Sequence, residues 1–486
     1  MTGTFLGFED NAYIIDTTLG PLRILASQVS CVGAACPSLT STDVDLRIAG
    51  SETIGLGLMS LLIEGYSDTV GAAVELSSTN DTGGAVGSLI SNLGYGDEMG
   101  QFQIAPTTSA DAFAALLENE AQIGMSARRI APSEARALSA DGAGNMIDPQ
   151  QEHIIAVDGL IVIVHPDNPV SEISVDNLQD IYTGNITNWA ELGGPDAAIN
   201  VVARQPESAT RTLFEERIFG DVAPAAGANT TVAVNNSVSS QLVNEDPFAI
   251  GYVGFPFQRG AKPLTLINEC GIRMVPDAFS ARTEEYALQR RLYLYTREDD
   301  RSDIVDGIID FAVSPSADQL IGKAGFIGFG VDRRSQSSAD ERGLVSLAAQ
   351  SAPYEAGLMQ DMVAKMADYD RLSTTFRFNT GSARLDERGQ VDLRRLVDFL
   401  AASDEALEVL VVGFTDSVGQ FDGNLQLSKA RAEQIVAEIQ AAGADRLGNT
   451  SISSIGYGEI APSGCNADNE GRRINRRVEV WVRQST

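Results

Sequence analysis

The chain has 486 residues, 43% hydrophobic, 21% charged and 6% aromatic, a globular composition too long for one hydrophobic core. Lys and Arg number 35 against 66 Asp and Glu, a net charge of −31, which excludes the basic face that nonspecific nucleic-acid binding needs. Mean hydropathy is −0.04 and no run of 18 apolar residues occurs, so no helix is long and apolar enough to cross a membrane.

Met1-Thr2-Gly3-Thr4-Phe5 lacks a basic region followed by an apolar one, so either no secretion signal existed or it has been removed; residue 1 is not Cys, and no lipid anchor is read there. Residues 1–42 read as a small β module, with strands FLGF, AYIID and LRILA separated by the turn signals EDN and TLGP. Cys31 and Cys36, in CVGAAC, are expected to close a small-loop disulfide, which points to an oxidising compartment; two buried thiols are the other reading. Nothing in the sequence says whether Cys270 and Cys465 meet.

Residues 43–335 alternate strands and helices in an open-sheet α/β pattern. VDLRIAG is a strand and IGLGLMSLLIEGY the helix after it. AAVELSS is a strand, GGAVGSLISNLG is expected to be a helix, and ADAFAALLENEA another. IIAVDGLIVIV is continuously apolar, as a strand buried on both faces would be. His153 and His165, the only histidines, flank it and read as strand-edge residues; without a Cys–His cluster no structural zinc site is expected.

Three stretches place small hydroxyl residues after a strand and at an expected helix start. They are Gly50-Ser51-Glu52-Thr53, then Ser77 to Gly84 with Ser78 and Thr79, then Ser208-Ala209-Thr210 with Arg204 upstream. Unpaired backbone N–H groups, hydroxyl donors and an arginine suit a dehydrated oxyanion. A plain helix cap is the commoner use of any one such stretch, and it is their recurrence at three strand ends that points to an anion. The net charge is uneven: 14 basic and 16 acidic residues from Arg371 onward leave −2, so residues 1–370 carry −29, which opposes long-range anion attraction. Salt screens that field beyond roughly 8–10 Å.

The order of these motifs resembles the PstS-like phosphate-binding proteins of ABC importers. Ile123-Gly124-Met125-Ser126-Ala127-Arg128, Ala156-Val157-Asp158-Gly159, Ile186-Thr187-Asn188-Trp189 and Ala249-Ile250-Gly251-Tyr252 add to the match. The resemblance implies a two-lobed periplasmic-binding fold closing on ligand, with lobe crossings near 156–164 and 247–255. It implies an anion site of Ser51, Thr53, Ser78, Thr79, Ser126, Arg128, Asp158, Arg204, Ser208, Ala209 and Thr210. Ala209 stands where the family has glycine, and no Asp occurs in Ser126-Ala127-Arg128.

Residues 336–371 read as a linker with a short helix in YEAGLMQDMVAKMADY. Residues 372–486 form a further α/β unit. In GFTDSVGQFDGNLQLSKARAEQI, Asn424, Leu427, Ser428 and Arg431 share one helix face. Asp416 ends the preceding strand. An Asp and an Arg that do not neutralise one another can grip a zwitterion, the carboxylate taking an ammonium and the guanidinium a carboxylate. A plain Asp–Arg ion pair is the alternative.

With Gly456-Tyr457-Gly458-Glu459 and Asn475-Arg476-Arg477-Val478-Glu479, this segment resembles the OmpA-like peptidoglycan-binding domain, a noncatalytic family with a βαβαβ-type core. The resemblance implies that Asp416 and Arg431 hold the diaminopimelate of the cell-wall stem peptide. Thr415, Asn424, Leu427, Asn379 and Thr380 would shape the pocket; Phe414 stands where many members carry His.

The expected whole is a multidomain α/β and α+β chain: β module, two-lobed solute-binding unit and peptidoglycan anchor. It is read as a noncatalytic protein of the periplasm, associated with peptidoglycan or the outer membrane, that binds phosphate or a related oxyanion. An ABC importer or another envelope protein would be its partner, with no nucleic acid, cofactor or metal. The alternative is a structural envelope protein whose solute-binding fold takes no small ligand. An enzyme such as a phosphatase is disfavoured, since neither His lies beside a nucleophile motif.

Overall fold

The computed structural model describes residues 3–9, 12–17, 20–25, 44–78, 84–93, 97–206, 208–220, 230–335, 353–385, 387–448 and 450–485. Cys31, Cys36 and Thr79 lie outside the described residues. The chain divides into two compact units. One comprises Met1–Ala156 and Arg290–Gly328, the other Val157–Gln289 and Phe329–Thr486.

In the first unit, Gly3–Glu9, Ala12–Thr17 and Gly20–Leu25 form an antiparallel three-stranded meander, matching the turn-punctuated pattern of the sequence. A larger sheet follows. Leu46–Ser51 lies between Glu98–Thr107 and Ile123–Ser126 and runs parallel to both. The helical stretch after it covers residues 52–69, with a π-helical turn at Gly55–Met59. Its Ile54, Leu58, Leu62 and Ile63 pack with Ile48, Phe102, Ile308 and Phe311 in the core of this unit.

The helix expected in GGAVGSLISNLG is instead the strand Ala85–Ser91, paired antiparallel with Ala72–Ser78 on one side and Glu98–Thr107 on the other. Its apolar residues suit a helix face, but Gly83, Gly84, Gly87 and Gly94 weaken a helix, and two flanking ladders satisfy every backbone group of a central strand. At the second of the three expected helix starts Ser78 instead ends a strand, opposite Ala85 of the next, and residues 79–83 lie outside the described residues.

The apolar strand Glu152–Val164 is buried along its whole length, and the chain passes between units within it, at 156. That agrees with the expected first crossing. The return does not: Ala249–Gly254 lies inside the second unit, antiparallel to residues 160–164, and the chain leaves after Gln289. A central strand and a crossing strand are both buried apolar runs, so periodicity cannot separate them.

The second unit holds two sheets relevant to function. In one, Asn200–Arg204 lies parallel to both Thr230–Ala233 and Ala249–Gly254. In the other, Asp370–Arg377, Arg477–Gln484, Leu407–Gly413 and Thr450–Gly456 are neighbours in that order, and only the last pair is parallel. Arg333–Arg334, read with the solute-binding part, adds to the edge of this sheet against Arg371 and Leu372; two residues carry no periodic signal.

Leu407–Gly413 is apolar on both faces and both are covered. Val409 and Val411 meet Leu393, Leu396 and Leu400 of helix Glu387–Ala401 and Ile435 and Ile439 of helix Phe421–Gly443. Leu410 and Val412 face the other way, toward Met359, Met362 and Met366 of helix Pro353–Met366. The helix expected in a linker is thus a packed layer of this sheet, because an apolar second face must be buried.

Candidate functional site

Two groups of side chains gather in the second unit and one in the first. The most complete is at the carboxyl end of strand Leu407–Gly413. Helix Phe421–Gly443 crosses this strand so closely that a Cβ on Gly413 would overlap the Ser428 carbonyl oxygen, and one on Gly456 would lie 2.5 Å from Ser428 Oγ. Only glycine permits this approach. Ser428 Oγ donates to the Leu425 carbonyl at 2.7 Å and accepts from Gly458 N at 2.9 Å, fixing the helix against the loop that follows the parallel neighbour strand.

The approach buries Asn424, Ser428 and Arg431 and half-buries Leu427, as the spacing requires. Arg431 is fully buried. Its Nε donates to the Ser382 carbonyl at 2.8 Å and its Nη2 to the Asn379 carbonyl at 3.2 Å. Its guanidinium lies 5.0 Å from the Phe378 ring centroid. Nη1 is buried without a hydrogen-bond partner. Burial, reinforced by the positive charge of Arg476 and opposed by Asp416, lowers the Arg431 pKa to about 10, so it stays cationic at neutral pH.

Asp416 and Arg431 do not pair. Asp416 Oδ2 accepts from Arg476 Nη1 at 2.7 Å, and Oδ1 accepts from Val418 N at 3.2 Å. Arg476 Nε in turn donates to the Phe378 carbonyl at 3.0 Å. Asn424 Nδ2 donates to the Asp416 backbone carbonyl and to Glu459 Oε2, at 3.2 and 2.5 Å. Thr415 Oγ1 is buried without a partner. Asn379 and Thr380 are exposed on the loop after strand Asp370–Arg377, and Asn379 contributes its carbonyl. A carboxylate, a buried cation with an open donor, and an unpartnered hydroxyl thus occupy one end of the sheet. Arg476 was missed as a site residue, although its motif had been singled out; its link to Asp416 spans 60 positions, beyond any spacing argument.

In the first unit Ser51 and Ser126 stand at the ends of neighbouring parallel strands, aligned through Gly50 and Met125. Ser51 is buried and makes no capping bond. Thr53 accepts from Arg290 Nη2 at 3.0 Å. Ser126 Oγ donates to the Arg128 carbonyl at 2.6 Å, closing a local turn. Arg128 is committed to Glu134 at 2.6 Å, which raises its pKa. Ser78 is exposed at a strand end, opposite Ala85.

In the second unit Arg204 ends its strand buried, with Nη1 donating to Asn236 Oδ1 at 2.6 Å and its amide to Tyr252 OH at 3.2 Å. Ser208 caps helix Ala209–Phe219, accepting from Arg211 N at 3.4 Å, while Arg211 Nη1 returns to the Arg204 carbonyl at 3.1 Å. Thr210 is buried and Ala209 exposed in the first turn. Arg204, Ser208 and Thr210 therefore meet at one strand-to-helix corner. Asp158 is buried within the long apolar strand.

Comparison with known proteins bears on both regions. A family model described as PBP superfamily domain matches residues 37–316, and one described as OmpA family matches residues 377–476. The chain is 36% identical over 146 residues to the phosphate-binding protein PstS of Bacillus subtilis (strain 168), which is 30% of this chain and 47% of that one. It thus spans about half the length of that relative. It is 34% identical over 119 residues to outer membrane porin F of Pseudomonas fluorescens, covering 24% of this chain and 35% of the other. It is also similar to the crystal structure of an ABC-type phosphate transport receptor from Vibrio cholerae, at 23% identity and a TM-score of 0.43, covering 58% of this chain and 99% of that one.

Proposed function

The chain belongs to the PBP superfamily through residues 37–316 and carries an OmpA family domain at residues 377–476, and on that premise we propose a noncatalytic envelope protein that captures an oxyanion while tethered to the cell wall. The tether is the diaminopimelate of the peptidoglycan stem peptide. The observation that carries this reading is the separation of Asp416 from Arg431. Asp416 is held by Arg476, and Arg431 keeps a buried N–H donor unpartnered. An unmet donor on a buried cation is costly unless a ligand carboxylate accepts from it. Asp416 takes the ligand ammonium, and Thr415 Oγ1 supplies a further hydrogen bond.

The oxyanion is phosphate or a close relative, and each unit holds its own set of candidate donors: the hydroxyls of Ser51 and Thr53 in the first, the Arg204–Ser208–Thr210 corner in the second. Strand-end hydroxyls and a buried arginine replace the water shell of such an anion. The likeness to a phosphate-binding protein supports that choice. The place of action is the periplasm, and the partner an importer or another envelope protein.

Two measurements test this. Asp416→Ala and Arg431→Ala are each expected to abolish cosedimentation with purified sacculi; if both variants still sediment like wild type, the tether reading is wrong. Titration calorimetry of ligand-stripped protein with phosphate, sulfate and a phosphonate should give heat with phosphate. Silence with all three favours the alternative, a solute-binding fold used without a small ligand.

A further inference from the structure

The loop that follows Asp416 is wired to a second part of the unit by contacts the tether reading does not use. Asn466 Oδ1 accepts from Ser417 N at 3.2 Å, next to Asp416, and from Asn475 Nδ2 at 2.9 Å. Asn475 is fully buried; its Oδ1 accepts from Ser463 N and Gly464 N at 2.8 and 2.9 Å, and its Nδ2 also donates to the Gly464 carbonyl at 2.8 Å. Arg472 Nη1 donates to the Asn466 and Ala467 carbonyls at 2.7 and 3.1 Å. Arg476, which follows Asn475, holds the Asp416 carboxylate. Residues 463–467 therefore brace both the backbone after Asp416 and the residue before its counter-ion.

This bracing loop is bonded covalently to the solute-binding part of the unit. Cys465, buried within it, forms a disulfide with Cys270, 195 positions earlier. Cys270 sits on a tight turn: Asn268 Oδ1 accepts from Cys270 N and Ile272 N at 3.0 and 2.9 Å, and Gly271 N donates to the Asn268 carbonyl at 2.9 Å. Further along the chain, the same part of the unit meets the C-terminal sheet and the helix Asn469–Asn475 through charge. Arg371 forms a two-bond pair with Glu285 at 2.9 and 3.0 Å, and Arg473 bonds Glu284 at 2.6 Å.

We propose that the Cys270–Cys465 bridge and Asn466 are positioning elements of the wall-peptide pocket, locking the Asp416 loop to the solute-binding part of the same unit. This rests on the wall-peptide reading above. The bridge limits the excursions of residues 463–467, and Asn466 passes that restraint to Ser417 and so to the Asp416 carboxylate. Opening the bridge frees the loop and lets the carboxylate wander from the ammonium it should meet.

The test uses the full chain and the tripeptide L-Ala-γ-D-Glu-meso-diaminopimelate. The double variant Cys270→Ser/Cys465→Ser and the single variant Asn466→Ala are each expected to bind it roughly five- to tenfold more weakly, the size of one lost hydrogen bond. Combined, they should lose little more than either alone, because they act on one path. Hydrogen exchange at residues 414–418 should rise in both. Wild-type affinity in both variants, whatever their unfolding midpoints, overturns the proposal, and so do fully additive losses. If the wild-type chain itself fails to bind the tripeptide, the wall-peptide reading falls and this proposal with it.

Discussion

Arg431 illustrates how one residue can be legible and its use not. Helical spacing put it on a face with Asn424 and Ser428, and that face is buried. Which acceptors its five N–H groups would find depended on a loop 49 to 52 positions away, whose carbonyls take Nε and Nη2 and leave Nη1 open. His153 is the reverse case. Read as a strand-edge residue, it is one, with its ring 3.2 Å from Thr296 Oγ1, but its burial was not foreseeable. That burial, aided by the charge of Arg301, lowers its pKa to about 4. The unfolded chain then binds a proton that the folded chain refuses between pH 6.5 and 4, so stability is lost as pH falls through that window. The loss amounts to about 3 kcal/mol when complete. His153→Gln should flatten the decline of the unfolding midpoint between pH 7 and 4.5. An equally steep decline would show that His153 does not contribute.

Elements were legible wherever the apolar period was unambiguous, as in Leu407–Gly413 and the helix Phe421–Gly443. Their mutual approach was not, since it depends on two glycines, Gly413 and Gly456, facing the same turn of helix from different strands. Gly413→Ala sets a methyl against the Ser428 backbone, which no side-chain rotation can relieve. A destabilisation of roughly 1–3 kcal/mol or more is expected, read as a lower urea midpoint. An unchanged midpoint would mean that the helix can retreat freely. The strand Ala85–Ser91 was mistaken for a helix because its neighbours, not its own pattern, supply its ladder partners. The helix Pro353–Met366 was mistaken for part of a linker because Met359, Met362 and Met366 reveal their role only beside Leu410 and Val412.

At the scale of the whole molecule, charge is arranged to join rather than to repel. The C-terminal part is nearly neutral, and its arginines face a carboxylate-bearing segment of the acidic part. Arg371 pairs with Glu285 at 2.9 Å, and its guanidinium lies 5.6 Å from the Phe279 ring centroid. Arg377, whose pKa burial lowers to about 10, donates to the Thr283 and Ile474 carbonyls. Together with the Cys270–Cys465 bridge, these contacts place the C-terminal sheet and the strands around Arg204 in one compact unit, a grouping that cuts across the linear order of domains. From its linear pattern alone, the chain declares an α/β part over residues 43–335, a further α/β unit after residue 371 and the shared helix face of Asn424, Ser428 and Arg431, because hydrophobic period and local motif spacing are properties of neighbours in sequence. The pairing of Cys270 with Cys465, the hold of Arg476 on Asp416 and the point of return at Gln289 join residues that only folding brings together, so no local pattern encodes them.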